Sequence, residues 1–268
     1  MLYSGTIKEN NIPYRAKMLN VKRLKENDFS HFIHSLYDEG WLVEELYLKF
    51  LYNEFQNDFF IASLKNEVVG FISAIKKKQD LGIISNFIIM KKFRSRGFGK
   101  QLFSHALQHL NNRQITLECT SKQESFYIPF GFSTYYDSIF YVYTTHTTFA
   151  KNKSVSSFFD KEKISLSKEI ACIQEDVSTL FRAIYHTNKL SSYGVCTPYN
   201  DGYKIIISSL SEEEALALFL ALLNPLEIGT KIYIEVSPLE LPQLNVVKVL
   251  KMTEFSRIHK MYNKVLHS

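Results

Sequence analysis

Cysteine is scarce in this 268-residue chain. The three present, Cys119, Cys172 and Cys196, stand far apart without paired spacing, which excludes a disulfide framework and a zinc pattern. Cys119 alternates with Ile115 and Leu117 on an apolar strand face and reads as a buried structural thiol. Long apolar runs are missing too. The longest, Ala215 to Leu223, is too short to cross a bilayer, and the N-terminus lacks the basic start and apolar stretch of a secretion signal. No block of like charge occurs: the net charge of +5 is spread along the chain, with short clusters at Lys76-Lys77-Lys78 and Lys91 to Arg96. That distribution favours an anionic ligand and makes no case for nucleic acid. His105 and His109 are i, i+4 neighbours opposite an apolar face, without a third ligand nearby. They read as solvated helix surface, and no metal site is expected. The expectation is a cytoplasmic protein with no membrane or nucleic-acid partner.

What is present describes a globular chain. Apolar residues make up 46% and charged residues 22%, and the length suits two ordinary domains. Residues 1–17 read as a lead-in arm. Phe29 to Phe55 carries apolar residues spaced for two amphipathic helices broken near Gly40. Phe59–Leu64 and Val68–Ile75 read as strands joined by Lys65-Asn66-Glu67, and Gly82–Met90 as a strand apolar on both faces. Phe98 to Leu110 returns to helical spacing, Gln114–Cys119 is a strand, and a short helix runs to Tyr127 before Pro129 and Gly131. This order predicts an α/β (α+β) domain with a mixed, largely antiparallel sheet over residues 18–145.

A Ser-, Thr-, Lys- and Asn-rich stretch over residues 146–166 reads as a linker, and residues 167–268 as a smaller second domain. A helix is expected over Lys168–Leu190, then a hairpin over Tyr193–Ser208 whose Asn200-Asp201-Gly202 supplies positive-φ residues. Ser211 and Glu214 form a capping box before a helix through Leu223. A strand over Lys231–Val236, a helix over Leu244–Met252 and a strand over Phe255–Tyr262 follow. The second half thus repeats the strand-helix-strand-helix-strand order of the first.

The segment richest in chemistry is Arg94-Ser95-Arg96-Gly97-Phe98-Gly99-Lys100, between an apolar strand and an amphipathic helix. Its glycines let the backbone approach a ligand and expose N–H donors where the helix dipole favours anions. A pyrophosphate suits such a turn, with Arg94, Arg96 and Lys100 as counter-charge. The third glycine of a dinucleotide-binding fingerprint is absent.

With its R-x-x-G-x-G turn and the later Tyr127-Ile128-Pro129-Phe130-Gly131-Phe132, the chain resembles the GNAT N-acetyltransferases. Trp41 with the acidic residues around it, Leu117 to Phe132, and Tyr193-Gly194-Val195 through Gly202-Tyr203-Lys204 narrow the resemblance to a bacterial two-domain subgroup. There an acetyltransferase domain precedes a smaller GNAT-like one. The resemblance implies the GNAT fold, acetyl-CoA as acyl donor and an amine acceptor. It implies that main-chain groups of Phe87, Ile88, Ile89 and Met90 pair with pantetheine, and that Arg94 to Lys100 hold the pyrophosphate. It also implies that Tyr127 protonates the departing thiolate.

Many relatives place a glutamate on the strand before the turn, where this chain has Ser85 and Asn86. Glu118 is the substitute candidate for general base, beside a water chain ending on backbone carbonyls. Asp38, Glu39, Glu44 and Glu45 read either as an exposed helix face or as a receptor for a cationic acceptor. The second domain lacks an R-x-x-G-x-G equivalent, so it is not expected to bind CoA and reads as a lid or a dimerisation surface. The expected activity is acetyl transfer to a small-molecule or peptide amine by a monomer or homodimer. Transfer of a longer acyl chain stays open, as does a non-catalytic acyl-CoA- or partner-binding module.

Overall fold

The computed structural model describes residues 18–41, 43, 45–77, 80–149, 153–156, 179–187 and 189–263. The chain divides into two compact units, one comprising residues up to Trp41 with Tyr52–Thr116, the other Leu42–Leu51 with Leu117–Lys264.

In the first unit, β1 (Asn20–Arg23), β2 (Phe59–Leu64), β3 (Glu67–Lys76) and β4 (Leu81–Ile89) pair antiparallel in sequence order. Helix α1 (Glu26–Asp38) buries Phe29, Phe32, Ile33 and Leu36, the i, i+3, i+4, i+7 stripe of an amphipathic helix. Two adjacent phenylalanines show how the sheet is covered. Phe59 meets Phe32 of α1 at 6.1 Å, while Phe60 meets His105 and His109 of α3 (Phe98–His109), each at 4.9 Å. Successive strand residues point to opposite faces, so α1 lies on one face and α3 on the other. Residues Val69 to Ile75 of β3 are accordingly all buried.

The two histidines are therefore not solvated surface. His109 Nε2 lies 2.7 Å from Asp58 Oδ1, while Asp58 Oδ2 accepts from the Lys76 amide at 2.9 Å. Burial, then His109, hold the His105 imidazole below its ordinary value. Helical spacing placed both residues off the apolar stripe, but both imidazoles pack edge-on against the Phe60 ring.

Helix α2 (Glu45–Glu54) precedes β2, and the unit boundary falls within β5 (Gln114–Cys119). The second unit continues with α4 (Ser121–Tyr127), β6 (Phe132–Thr144), β7 (Leu180–His186), β8 (Lys189–Tyr199) and β9 (Gly202–Ser208). It closes with α5 (Glu212–Leu223), β10 (Lys231–Val236), α6 (Leu241–Val249) and β11 (Thr253–Asn263). Strand β6 pairs antiparallel with β10 on one side and β11 on the other. Strand β10 then runs parallel to β9, and β9–β8–β7 are antiparallel. The expected mixed, largely antiparallel α/β fold is the one observed. Ala215, Leu218, Phe219 and Leu222 of α5 are fully buried with Cys196 and Ile232.

Three local expectations change. The helix expected over Lys168–Leu190 is strand from Leu180 onward, and its earlier part, with Cys172, lies outside the described residues. A short apolar run such as Leu180-Phe181-Arg182-Ala183-Ile184 suits either period, and pairing with β8 selects the strand. The capping box is half made: Ser211 Oγ accepts from the Glu214 amide at 3.3 Å. The Glu214 carboxylate turns instead to Ser191 at 2.9 Å and His186 at 2.5 Å. At the β8–β9 turn Asn200 takes positive φ, whereas Gly202 does not. Glycine is required there because a Cβ would stand 2.0 Å from the Lys231 carbonyl oxygen. Of the linker, residues 146–149 and 153–156 are described, and Ser156 bridges to Ala183.

A charge cluster ties β6, β10 and β11 together. Glu235 Oε1 accepts from Ser138 at 2.8 Å and from Lys260 Nζ at 3.0 Å. Burial pushes the Glu235 carboxyl up, but Lys260 and Lys204 outweigh it and hold the group below the usual carboxylate range. A depressed carboxyl contributes stability that is present above its unfolded value, near about 4.3, and is lost as pH falls through the folded value. Glu235→Gln should therefore flatten the acid limb of a melting-temperature series taken from pH 6 down to about pH 2. An acid limb as steep as that of the parent would show that this cluster does not govern acid stability.

Candidate active site

Strand β4 leads through a short 3-10 turn, Lys91–Phe93, into the glycine turn and α3. Phe93 and Phe98 are buried at either end of it, with ring centroids 6.1 Å apart, so the ends are fixed by packing while the middle is exposed. Ser95 (φ 59°) and Gly97 (φ 82°) both lie in the left-handed region. Alternating left-handed residues turn successive main-chain N–H groups toward one side, and the first N–H groups of α3 have no intrahelical partner. A Cβ at Gly97 would meet nothing within 4 Å. The turn therefore combines open space, main-chain donors and positive charge, which fits a pyrophosphate.

The basic side chains differ in what they do. Arg94 Nε donates to the Ile89 carbonyl at 2.8 Å and Nη2 lies 2.5 Å from Glu39 Oε2. Its guanidinium thus clips the turn to the end of β4 and to the residue after α1. Lys91 Nζ reaches the Asp38 carbonyl at 3.2 Å. Of the acidic residues at the end of α1, Glu39 meets the basic turn through its carboxylate and Asp38 through its main-chain carbonyl, and Trp41 is exposed. Glu44 lies outside the described residues. Arg96 lies over the Phe93 ring at 6.0 Å, and Lys100 is exposed.

Along β4 the structure adds a feature the sequence reading missed. Ile88 pairs with Phe71 and Ser85 with Ser73, so Asn86 and Phe87 together oppose Ile72. This is a β-bulge, with Asn86 at φ 51°, and it takes the extra residue out of the ladder with β3. Asn86 Nδ2 donates to Ser73 Oγ at 3.2 Å and Ser85 Oγ at 3.3 Å, and Ser73 Oγ donates to the Ser85 carbonyl at 2.9 Å. The available signal was a Ser-Asn pair inside an apolar strand, since asparagine tolerates left-handed φ better than most residues. Phe87 packs on Phe103 at 5.7 Å, Ile88 is buried, and Ile89 and Met90 are half-buried. The Met90 N–H already donates to Val69 O at 2.9 Å.

In the second unit, Tyr127 ends α4. The chain then makes a 3-10 turn over Ile128–Phe130 and reverses at Gly131, φ 86°. Pro129 stands in that turn, so the helix holding the phenol is complete before it. Tyr127 is 6% exposed and packs edge-on against Phe126 and Phe132. Burial, then the Cys119 thiol, push its phenol well above the ordinary value. Cys119 itself is buried, as expected, donates to Met261 Sδ at 3.4 Å, and is pushed up to about 11 by burial, then by Glu124.

Glu118 is exposed and ion-paired with Lys260. A second cluster of titratable side chains went unread in the sequence. His259 Nδ1 lies 2.7 Å from Asp137 Oδ1 and its Nε2 lies 3.0 Å from Ser121 Oγ. The His259 bond, opposed by burial and joined by Arg257, holds the Asp137 carboxyl below its usual range. These residues stand far apart in sequence, and only the β6–β11 register places His259 opposite Asp137.

Comparison with known proteins accords with this geometry. Residues 21–152 match the model of the acetyltransferase (GNAT) domain. Among solved structures, a candidate acetyltransferase from Pyrococcus horikoshii is 14% identical with a TM-score of 0.72, covering 98% of this chain and 96% of its own. A tandem GNAT protein from the clavulanic acid biosynthesis pathway is 13% identical with a TM-score of 0.64, covering 93% and 99%. A GCN5-related N-acetyltransferase from Sphaerobacter thermophilus is 10% identical with a TM-score of 0.64, covering 94% and 96%. At these identities the likeness is one of fold. No curated protein matches the sequence. Among the described residues no helix is long and apolar enough to cross a membrane.

Proposed function

From the match of residues 21–152 to the model of the GNAT acetyltransferase domain, we propose that this protein transfers the acetyl group of acetyl-CoA to a primary amine. The observation that carries the reading is the glycine turn: left-handed Ser95 and Gly97, open space at Gly97, and a basic surround at the start of a 12-residue helix. In this reading main-chain N–H groups from Ser95 to Lys100 hold the pyrophosphate, Arg96 and Lys100 add counter-charge, and Arg94 positions the turn. The bulged end of β4, Phe87 to Met90, offers main-chain groups to pantetheine, apart from the Met90 N–H, which Val69 already engages. Bound acetyl-CoA supplies the activated thioester.

An alkyl ammonium, with a pKa of about 10.4, must lose a proton before it can attack. Glu118 or a water chain accepts that proton, and Tyr127 donates its phenolic proton to the departing sulfur. The acetyltransferase domain spans 18–145, with a GNAT-like domain over 167–268, in a cytoplasmic monomer or homodimer.

A second reading, a binding module without turnover, is favoured by two observations: Tyr127 is buried, and Glu118 is already paired with Lys260. Calorimetric titration with acetyl-CoA and CoA, followed by a thiol-release screen against polyamines, amino acids, peptides and aminoglycosides, separates the readings. Acetyl-CoA binding with amine-dependent thiol release is expected. Binding without release across the panel supports the module, and absence of binding rejects both.

A further inference from the structure

The run β9–α5–β10–α6–β11 repeats the order of β4–α3–β5–α4–β6. Strands β9 and β10 pair in parallel at Gly202↔Lys231, Tyr203↔Ile232 and Lys204↔Tyr233, and the ladder then stops. Both strands continue, β9 to Ser208 and β10 to Val236. A cavity of about 410 Å³ lies beside them, walled by Ile205, Ile207 and Ile234 with Lys204, Glu240 and Gln243 among its polar groups. Diverging parallel strands are a common place for ligand pockets, and this volume suits a small molecule.

The segment after β9 is unlike the one after β4. Where the first repeat has Arg94 to Lys100 with two glycines, α5 opens with Glu212-Glu213-Glu214 and no glycine. An acidic first turn disfavours phosphate, so the cavity is not a second CoA site.

The polar groups in it are unequally satisfied. Glu235 Oε1 is engaged by Ser138 and Lys260, while its Oε2 faces only Lys204. Lys204 Nζ stands 3.7 Å from Glu235 Oε2, beyond hydrogen-bond reach, and lies over the Phe140 and Tyr199 rings. Glu240 Oε2 accepts from the Ser237 amide at 2.7 Å, but among the described residues no cation pairs with that carboxylate. Gln243 is 6% exposed, and its Nε2 donates to the Ile207 carbonyl at 2.9 Å, which sets the orientation of the amide. Its Oε1 is consequently a buried acceptor with no partner. One under-used cation therefore shares a cavity with one uncompensated carboxylate and one orphaned acceptor. Buried polar groups are normally satisfied, so an orphan at a cavity calls for a donor.

We propose that this cavity binds a free α-amino acid, its ammonium on Glu240 and Gln243 Oε1 and its carboxylate on Lys204. Ile206, on the same face of β9 as Lys204, lies along its carbon skeleton. A zwitterion is the smallest common ligand whose ammonium meets the uncompensated carboxylate and the orphaned acceptor while its carboxylate gives Lys204, held by Glu235 Oε2 only at 3.7 Å, a closer partner. The site is independent of the acetyl-transfer reading, since none of its residues belongs to the glycine turn or to α4.

Differential scanning fluorimetry of the full chain with each of the proteinogenic L-amino acids at millimolar concentration, followed by calorimetry, tests it. At least one amino acid should raise the melting temperature. Its amide, which lacks the carboxylate, and its N-acetyl derivative, which lacks the ammonium, should each bind about tenfold or more weakly. Glu240→Gln and Lys204→Met, at partly exposed positions where folding should survive, should each weaken binding by a similar factor. Failure of every amino acid to bind overturns the proposal. So does binding that persists unchanged in both folded variants, or equal affinity for the N-acetyl derivative.

Discussion

Gly97→Glu should abolish acetyl-CoA binding while leaving the protein folded. At φ 82° an L side chain is strained, by roughly 1–2 kcal/mol, a fraction of the 5–15 kcal/mol that typically holds a folded protein, so the fold should tolerate it. Because a Cβ at Gly97 would meet nothing within 4 Å, Gly97→Ala carries the same backbone strain with no clash and no charge. The pair therefore separates strain from occupation of the ligand space. Calorimetry should show the alanine variant within a few-fold of the parent, and the glutamate variant weaker by about 100-fold or more, since a carboxylate would face a pyrophosphate. Equal affinity in a folded glutamate variant would discard the glycine turn as the cofactor site.

Tyr127→Phe should lower kcat by about 10²- to 10⁴-fold with little change in acetyl-CoA affinity. The ring stays, so the contacts with Phe126 and Phe132 are kept. Burial and Cys119 keep the phenol protonated across the working pH range. It can therefore donate to a developing thiolate but is a weak acid while waiting, so proximity must supply the catalysis. If Tyr127 is instead a core tyrosine, the variant loses only stability, about 0.5–1.5 kcal/mol for one hydrogen bond, and kcat is unchanged. Measuring kcat, acetyl-CoA affinity and melting temperature on one preparation decides between the two.

How much of this was legible beforehand depended on the distance over which each feature is determined. The period changes that mark α1, the strands β2 to β4 and the amphipathic α3 are local, because burying one face of an element imposes its spacing on the element's own residues. The strand-to-helix glycine turn was legible for the same reason: left-handed φ at Gly97 is a property of one residue and its neighbours. The run Leu180–His186 was misread because its few apolar letters fit both periods, and only β8 beside it decides.

The sequence by itself thus determined the α/β class, most element boundaries and the position of the strand-to-helix glycine turn, all governed by local sterics and apolar periodicity. Tertiary structure alone decided which charges meet. Arg94 clips to Glu39, His109 meets Asp58, and Lys260 bridges Glu118 and Glu235 across long stretches of chain. It also decided the bulge at Asn86, which exists relative to β3, and the cavity beside β9 and β10, which exists because a parallel ladder ends before its strands do. A long charged side chain can reach partners in any direction. Which one it finds is set by strand register and packing, and neither is written in the residues beside it.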